Sequence, residues 1–169
     1  VKYFTTCSLF DATTGVAKCE ISIEDINRIK EPFVISPGGD TVATVNKDGD
    51  ISVWNLSVAS SLTVTERCVL LRRDAVDVPY PYRFNGLTFS VDGSKIISST
   101  NKGRWIIWDL TSRTVYGSVI AADTDQSPHF PVVLTADYQK LVICYGSLIS
   151  VYDVQTGERI RDLELQGSY

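Results

Sequence analysis

Short apolar runs alternate with polar turns along the whole chain, and the 3.6-residue period of an amphipathic helix is scarce. The runs are rich in Val, Ile, Thr, Tyr, Phe and Trp, whereas Gly, Asp and Asn gather between them. β-Branched and aromatic residues favour strands, and Gly, Asp and Asn favour the tight turns that join strands. The pattern therefore predicts an all-β protein.

Four segments of the chain repeat one pattern, in which an apolar strand ends in an aromatic residue and a polar turn. These segments are CSLFDATTG at 7–15, ISVWNLSVAS at 51–60, WIIWDLTSRT at 105–114 and ISVYDVQTGE at 149–158. Their aromatic residues are Phe10, Trp54, Trp108 and Tyr152, which are separated by 44, 54 and 44 residues. One constant period with ten extra residues in its middle interval indicates a structural repeat.

A second block precedes three of these aromatic residues and predicts a strand, a tight turn and another strand. Its copies are FVISPGGDTVATV at 33–45, LTFSVDGSKIIS at 87–98 and VVLTADYQKLVIC at 132–144. Each copy joins to the segment after it, so the repeating unit is a sheet of consecutive antiparallel strands.

Equivalent positions in the four copies share their chemistry. The positions one and three residues before the aromatic are apolar throughout: Leu9, Val53, Ile107 and Val151, and Cys7, Ile51, Trp105 and Ile149. The position two residues before it is small except in the third copy: Ser8, Ser52, Ile106 and Ser150. A strand that is apolar on one face and aromatic on the other is expected to be buried on both faces between stacked sheets.

The repeated segments resemble WD repeats, the β-propeller blades whose third strand ends in an aromatic residue followed by Asp. The matching pairs are Phe10-Asp11, Trp54-Asn55, Trp108-Asp109 and Tyr152-Asp153. Only the third copy has the full Trp-Asp pair, and no Gly-His pair precedes any copy. The resemblance implies divergent blades of four-stranded antiparallel sheets without the hydrogen-bonded His, Asp and Trp network of well-conserved blades.

Counted in this way, the chain contains three and a half blades and 14 strands. The predicted units are a half blade at 1–32 and full blades at 33–83, 84–130 and 131–169, with 12–15 as the turn of the half blade. Closed propellers have about four to eight blades, so the ring is incomplete and its terminal faces must be covered. A second copy, a partner or missing sequence would each cover them, and we expect a homodimer or further association through the open ends.

Composition and charge narrow the class of protein. The chain is 44% hydrophobic and 21% charged, which is typical of a globular protein, and its net charge is −4. This charge argues against nucleic acid or an anionic membrane as the main partner, and no apolar run approaches the roughly 18 residues of a membrane helix. We expect an intracellular protein of the cytoplasm or the nucleus. The chain begins at Val1 and contains no Met, which predicts a processed or excised piece, or residues that precede Val1.

No residues with the spacing of a catalytic, cofactor or metal site are found. The four cysteines form no C-x-x-C pair, so they predict reduced thiols, with a Cys7–Cys19 cross-strand disulfide as the alternative. Asp48 and Asp50 flank a glycine but lack the further acidic ligands of a calcium loop, and a hairpin turn explains them. His129 is the only histidine, and its polar neighbours lie in its own loop. We therefore predict no enzyme, no cofactor and no metal.

The ten extra residues fall between Ser57 and Phe84, where Pro79 and Pro81 stiffen the chain. This connection also carries residues of the types enriched at protein interfaces: Arg72, Arg73, Tyr80, Tyr82 and Arg83. In WD-repeat propellers such connections lie on the face with most partner contacts. These five residues are the predicted partner-binding site, and the alternative is that the tyrosines pack as a lid over the blade edges.

These observations predict a non-catalytic protein–protein interaction scaffold, a WD-repeat segment of a larger intracellular assembly or signalling protein. The alternative is a fragment of a ligand-binding or enzymatic propeller whose active residues lie in other blades.

Overall fold

Fourteen strands make up the regular structure of the described part of the chain. The computed structural model describes residues 4–24, 33–45, 50–55, 67–71, 84–121 and 131–165. The strands are β1 Phe4–Phe10, β2 Ala17–Glu24, β3 Phe33–Ile35, β4 Thr41–Val45, β5 Ile51–Asn55, β6 Arg67–Leu71, β7 Phe84–Phe89, β8 Lys95–Thr100, β9 Arg104–Asp109, β10 Thr114–Ile120, β11 Val132–Leu134, β12 Lys140–Tyr145, β13 Leu148–Asp153 and β14 Arg159–Glu164. The predicted all-β class is confirmed.

The strands form four antiparallel sheets in chain order. The first sheet is the hairpin β1–β2, and the second, third and fourth sheets are β3–β6, β7–β10 and β11–β14. Within each sheet, every strand pairs with the strands next to it in the sequence. The sheets fall within the four predicted units, whose boundaries remain predictions.

A β-bulge recurs at one position of all four sheets. Each of the four aromatic residues of the repeat pairs with the residue just before the bulge: Phe10 with Ala17, Trp54 with Arg67, Trp108 with Val115, and Tyr152 with Arg159. The unpaired residues are Lys18, Cys68, Tyr116 and Ile160. Because bulges bend a strand at a defined point, this shared register identifies β1–β2 as the equivalent of the last two strands of the other sheets.

Two apolar clusters stack the sheets face to face. The first cluster joins the second and third sheets through Ala43, Val45, Ile51, Val53, Phe84, Ile96, Ile106 and Trp108. The second cluster joins the third and fourth sheets through Ile97, Trp105, Ile107, Val119, Ala121, Leu134, Leu141, Ile143, Tyr152 and Val154. Successive side chains on β8 and β9 point to opposite faces of the sheet and belong to different clusters. The third sheet is therefore buried on both faces. Trp108 and Tyr152 each face the sheet that precedes their own.

Burial of the repeated strand on both faces is confirmed in the third sheet only, and the exposed ends agree with the predicted incomplete ring. Trp108 and Tyr152 are 0% and 3% exposed, whereas Phe10 is 60% exposed. Within the described residues no sheet precedes the first, so nothing covers Phe10 as the third sheet covers Tyr152. The described residues likewise cover the fourth sheet on one face only.

The pairing of β1 with β2 tests the alternative prediction of a Cys7–Cys19 disulfide. Cys7 pairs with Ile21 and Cys19 pairs with Leu9, so the two cysteines are not cross-strand partners. Cys144 is a free, half-buried thiol.

Candidate functional site

The five predicted partner-binding residues lie outside the described residues. Arg72, Arg73, Tyr80, Tyr82 and Arg83 belong to the segment between β6 and β7 that the structure does not describe. The site remains a prediction, and so do the interpretations of Asp48 and His129, which also lie outside the described ranges. The described part of the chain holds no group of three His, Cys, Asp or Glu residues arranged for a metal ion. The described segments contain no helix with the length and apolar character that crossing a bilayer requires.

The aspartate that follows the repeated aromatic closes the last hairpin of its sheet. Asp109 Oδ1 accepts hydrogen bonds from the backbone N–H groups of Thr111 and Ser112 at 2.9 and 2.8 Å. Asp11 and Asp153 cap their own turns in the same way. A side-chain carboxylate that satisfies turn amides fixes the hairpin, which gives the Asp of the repeat a physical role.

A second turn recurs between the first two strands of the full sheets. Ser36, Ser90 and Thr135 each donate a side-chain hydrogen bond to an aspartate and accept one from the backbone N–H five residues on. Two of the sheets carry a glycine with positive φ two residues before their second strand: Gly39 at 71° and Gly93 at 74°. Tyr138 occupies this position in the fourth sheet with a φ of 59°. A tyrosine in the left-handed region costs about 1–2 kcal/mol, so other contacts must hold it there.

Those contacts join the third and fourth sheets around a buried lysine. The Lys95 ammonium lies 4.3 Å from the centre of the Tyr138 ring and 4.5 Å from that of Tyr116, and it bonds Asp109 Oδ2 at 2.8 Å. The Tyr138 hydroxyl donates to Asp92 Oδ2, and the two tyrosine rings meet edge to face. We name Asp92, Lys95, Asp109, Tyr116 and Tyr138 the lysine clamp. Lys95 is 5% exposed, so this cation is partnered as a buried charge requires.

The clamp also lowers the pKa values of its carboxyl groups. The hydrogen bond from Lys95, followed by the N–H of Ser112, lowers the pKa of Asp109 to about 2. The hydrogen bonds from Tyr138 and Ser90 hold the pKa of Asp92 well below its usual range. Both carboxylates are therefore charged at neutral pH.

Trp108 anchors the third sheet by a different polar contact. Its Nε1 donates to Ser98 Oγ at 2.8 Å on the neighbouring strand, and both residues are fully buried. The indole N–H of Trp108 is thus satisfied by a serine of its own sheet, in a chain without Gly-His pairs.

The fourth sheet presents its far side, which we name the outward face, to solvent. Val133 and Leu163 are 56% and 41% exposed there, and the central residues are half-buried: Val142, Cys144, Ile149 and Val151. The equivalent residues of the third sheet, Ile97, Trp105, Ile107 and Val119, are at most 2% exposed because the fourth sheet covers them. Among the described residues, the third sheet has this apolar face covered and the fourth does not.

The lysine–aspartate pair of the clamp has a counterpart beside the outward face. Lys140 and Asp153 are cross-strand partners in the fourth sheet, as Lys95 and Asp109 are in the third. Lys140 is exposed, and the bulge position that holds Tyr116 in the third sheet holds Ile160, which is 53% exposed. The outward face thus repeats the buried face of the third sheet, including its cation.

Comparison with known structures identifies the architecture. No protein-family model matches the chain. The structure entitled "Structure of U3-55K" aligns over 82% of this chain and 40% of its own, with a TM-score of 0.58 and 13% identity. The crystal structure of the RRP9 WD40 repeats aligns over 82% and 39%, with the same TM-score and identity. The chain spans about two fifths of these chains. The chain therefore has the fold of a WD-repeat β-propeller, of which it forms three four-stranded blades and a preceding two-stranded sheet.

Proposed function

We propose that the chain is a non-catalytic protein–protein interaction module, a segment of a scaffold in a larger intracellular assembly. The observation that carries the proposal is the outward face of the fourth sheet, whose equivalent in the third sheet is buried. Exposed apolar residues on a rigid sheet favour contact with another folded surface over binding of a small polar ligand. The fold supports this role, since propellers present rigid faces between their blades and along their loops.

The connection at 72–83 is proposed as a second contact surface. Arg72, Arg73, Tyr80, Tyr82 and Arg83 combine large contact area with hydrogen-bonding groups, and two prolines limit the entropy lost on binding. The net charge of −4 disfavours a nucleic-acid backbone or an anionic membrane as the partner. We propose the cytoplasm or the nucleus as the compartment, because a chain long enough to bury a core does not need its four cysteines as a disulfide framework.

The experiment compares proteins captured from cell extract by the wild-type chain and by a variant with Tyr80→Ala and Tyr82→Ala. The expected result is a set of proteins that the wild type captures and the folded double variant loses. Val91→Ala serves as the matched control, because Val91 is an exposed apolar residue on a turn elsewhere. Equal capture by all three proteins would assign the tyrosines to packing and remove the connection from the proposal.

A further inference from the structure

The lysine clamp has the parts of an ammonium-binding site, and the chain fills this site with a lysine of its own. The Lys95 ammonium lies over two tyrosine rings and bonds the carboxylate of Asp109. We propose that the clamp is a binding site for alkylammonium ions whose resident ligand is Lys95, and that it accepts a free alkylammonium ion when the Lys95 side chain is shortened. This site is separate from the contact surfaces proposed above.

Two tyrosine rings form adjoining walls of the site. Their centres lie 6.1 Å apart and their planes meet at 75°, so one cation can face both rings. The Lys95 ammonium does so, at 4.3 Å from the centre of the Tyr138 ring and 4.5 Å from that of Tyr116. Cation–π attraction acts within about 6 Å of the ring centre and depends on the charge of the ion. The walls therefore recognise an ammonium group and not the chain to which it is attached.

The walls and the carboxylate are each positioned by contacts other than that with Lys95. The Tyr138 hydroxyl donates to Asp92, and Tyr116 occupies the bulge of β10 and contacts the Tyr138 ring edge to face. Asp109 Oδ1 accepts two turn N–H groups, which leaves Oδ2 for the cation. We therefore expect the site to keep its shape when the lysine is shortened.

Charge and access also favour a cation in this site. Asp92 and Asp109 both have pKa values below the ordinary range, so both are negatively charged at neutral pH. Tyr116 is 37% exposed and the side chain of Asp109 is 22% exposed. A small cation is thus attracted to this side of the clamp and can enter beside Tyr116 without separation of the third and fourth sheets.

The atoms that a substitution removes define the ion that fits. Lys95→Ala removes the side chain from Cγ to Nζ, and propylammonium consists of the same heavy atoms. Its ammonium group keeps the N–H donors that Asp109 Oδ2 requires. A primary amine of this kind is charged at pH 7, as lysine is. 1-Propanol has a hydroxyl in place of the ammonium group and is the uncharged control.

Other sheets of the chain supply the matched variants. Thr41 begins β4 as Lys95 begins β8, and the backbone N–H of each donates to the side-chain hydroxyl of the serine five residues before it. Lys95→Thr therefore places at this position a short side chain that an equivalent strand carries. Lys140 pairs with Asp153 in the fourth sheet, but the bulged residue there is Ile160 and not a tyrosine. Lys140→Ala consequently shortens an equivalent lysine where the tyrosine wall of the bulge is missing.

The test measures the stability of the whole chain at pH 7 in increasing propylammonium chloride, with equal concentrations of sodium chloride as the reference. Lys95→Ala and Lys95→Thr are expected to be less stable than the wild type and to regain stability in propylammonium along a saturating curve. At about ten times its dissociation constant, the bound ion raises the ratio of folded to unfolded chains about elevenfold. The wild type and Lys140→Ala should respond to propylammonium as they do to sodium chloride.

Tyr116→Leu added to Lys95→Ala removes one wall and should weaken propylammonium binding about fivefold. 1-Propanol should not restore stability to either Lys95 variant. An equal effect of propylammonium on Lys95→Ala and Lys140→Ala would overturn the inference, as would an equal effect of 1-propanol and propylammonium. Both Lys95 variants remaining unfolded at every propylammonium concentration would overturn it as well. None of these outcomes alters the capture of partner proteins by the wild type, so the proposed function is tested separately.

Discussion

Gly117 lies directly against Val154, where the third sheet meets the last turn of the fourth. A Cβ placed on Gly117 would come within 2.6 Å of Val154 Cγ1 and 2.7 Å of the Val154 carbonyl oxygen. The backbone of one sheet therefore touches the next at this point. Glycine is required here by close approach, because no side chain fits between β10 and this turn.

Gly117→Ala is expected to lower the free energy of unfolding by about 1–3 kcal/mol, because the methyl group forces the third and fourth sheets apart. Adding Val154→Ala should restore only part of the loss, since the carbonyl oxygen remains in place. The measurement is chemical denaturation of both variants. Gly38→Ala is the control, because a Cβ there meets only Asp40 at 3.4 Å or more. Equal stability of the Gly117→Ala variant and the wild type would contradict the packing of these two sheets.

Asp109→Asn is expected to destabilise the chain by about 1–3 kcal/mol, because it leaves Lys95 buried without its anionic partner. Asparagine keeps the side-chain oxygen that accepts the turn N–H groups. The change in stability therefore reports the loss of the negative charge beside Lys95. The carboxyl pKa of about 2 lies below the ordinary value of about 3.9. Its contribution to stability is therefore complete above pH 4 and is lost as the pH falls toward 2.

Thermal melts between pH 7 and pH 2 check this prediction. The wild type should lose more stability below pH 4 than the Asp109→Asn variant does. Asp153→Asn, at the equivalent exposed pair with Lys140, should change stability much less at neutral pH. Similar losses for both variants at pH 7 would show that the third sheet's pair is no more buried than the fourth's.

Trp108→Ala is expected to lower the free energy of unfolding by about 3–5 kcal/mol and to leave the chain largely unfolded on warming. Trp108→Phe keeps most of the packing but loses the hydrogen bond to Ser98, so its expected cost is smaller. Thermal melts of both variants provide the comparison. A Trp108→Ala melt close to that of the wild type would reject its place in the core.

Tyr138→Phe is expected to cost about 0.5–1.5 kcal/mol, because the exposed Asp92 loses one hydrogen bond while the ring stays over Lys95. Tyr138→Gly removes the backbone strain but also the ring, and we expect this variant to be less stable than the wild type. Denaturation curves for the two variants separate the contribution of the Tyr138 hydroxyl to stability from that of its ring. Greater stability of the Tyr138→Gly variant would mean that the clamp contributes less than the strain it imposes.

The repeating pattern predicted the strands well because each strand and turn is specified locally. Asp109 accepts from backbone N–H groups two and three residues further along the chain. Ser90 donates to Asp92 two residues on and accepts from the N–H of Lys95 five residues on. Such short-range hydrogen bonds can be inferred from the order of residues alone. The recurrence of four copies also placed Trp108 and Tyr152 in the core.

Burial and contacts between sheets could not be predicted in the same way. Phe10 has the same local sequence context as Tyr152, but its exposure depends on whether another sheet lies beside it. The lysine clamp joins Lys95 to Tyr138, which are distant in the sequence, and no spacing rule relates them. One signal was present, since Tyr138 replaces the glycine that the other two turns carry at this position. A bulky residue where repeats use glycine points to a contact that compensates for the strain.

Amide hydrogen exchange tests the central claim, that the sheets stack with the third covered on both faces and the fourth on one. The comparison is between β9 and β13, which are interior strands with pairing on both sides, at a concentration where the chain is a single copy. We predict slower exchange in β9, because only β9 is buried on both faces. Equal protection of the two strands, or slower exchange in β13, would contradict the account.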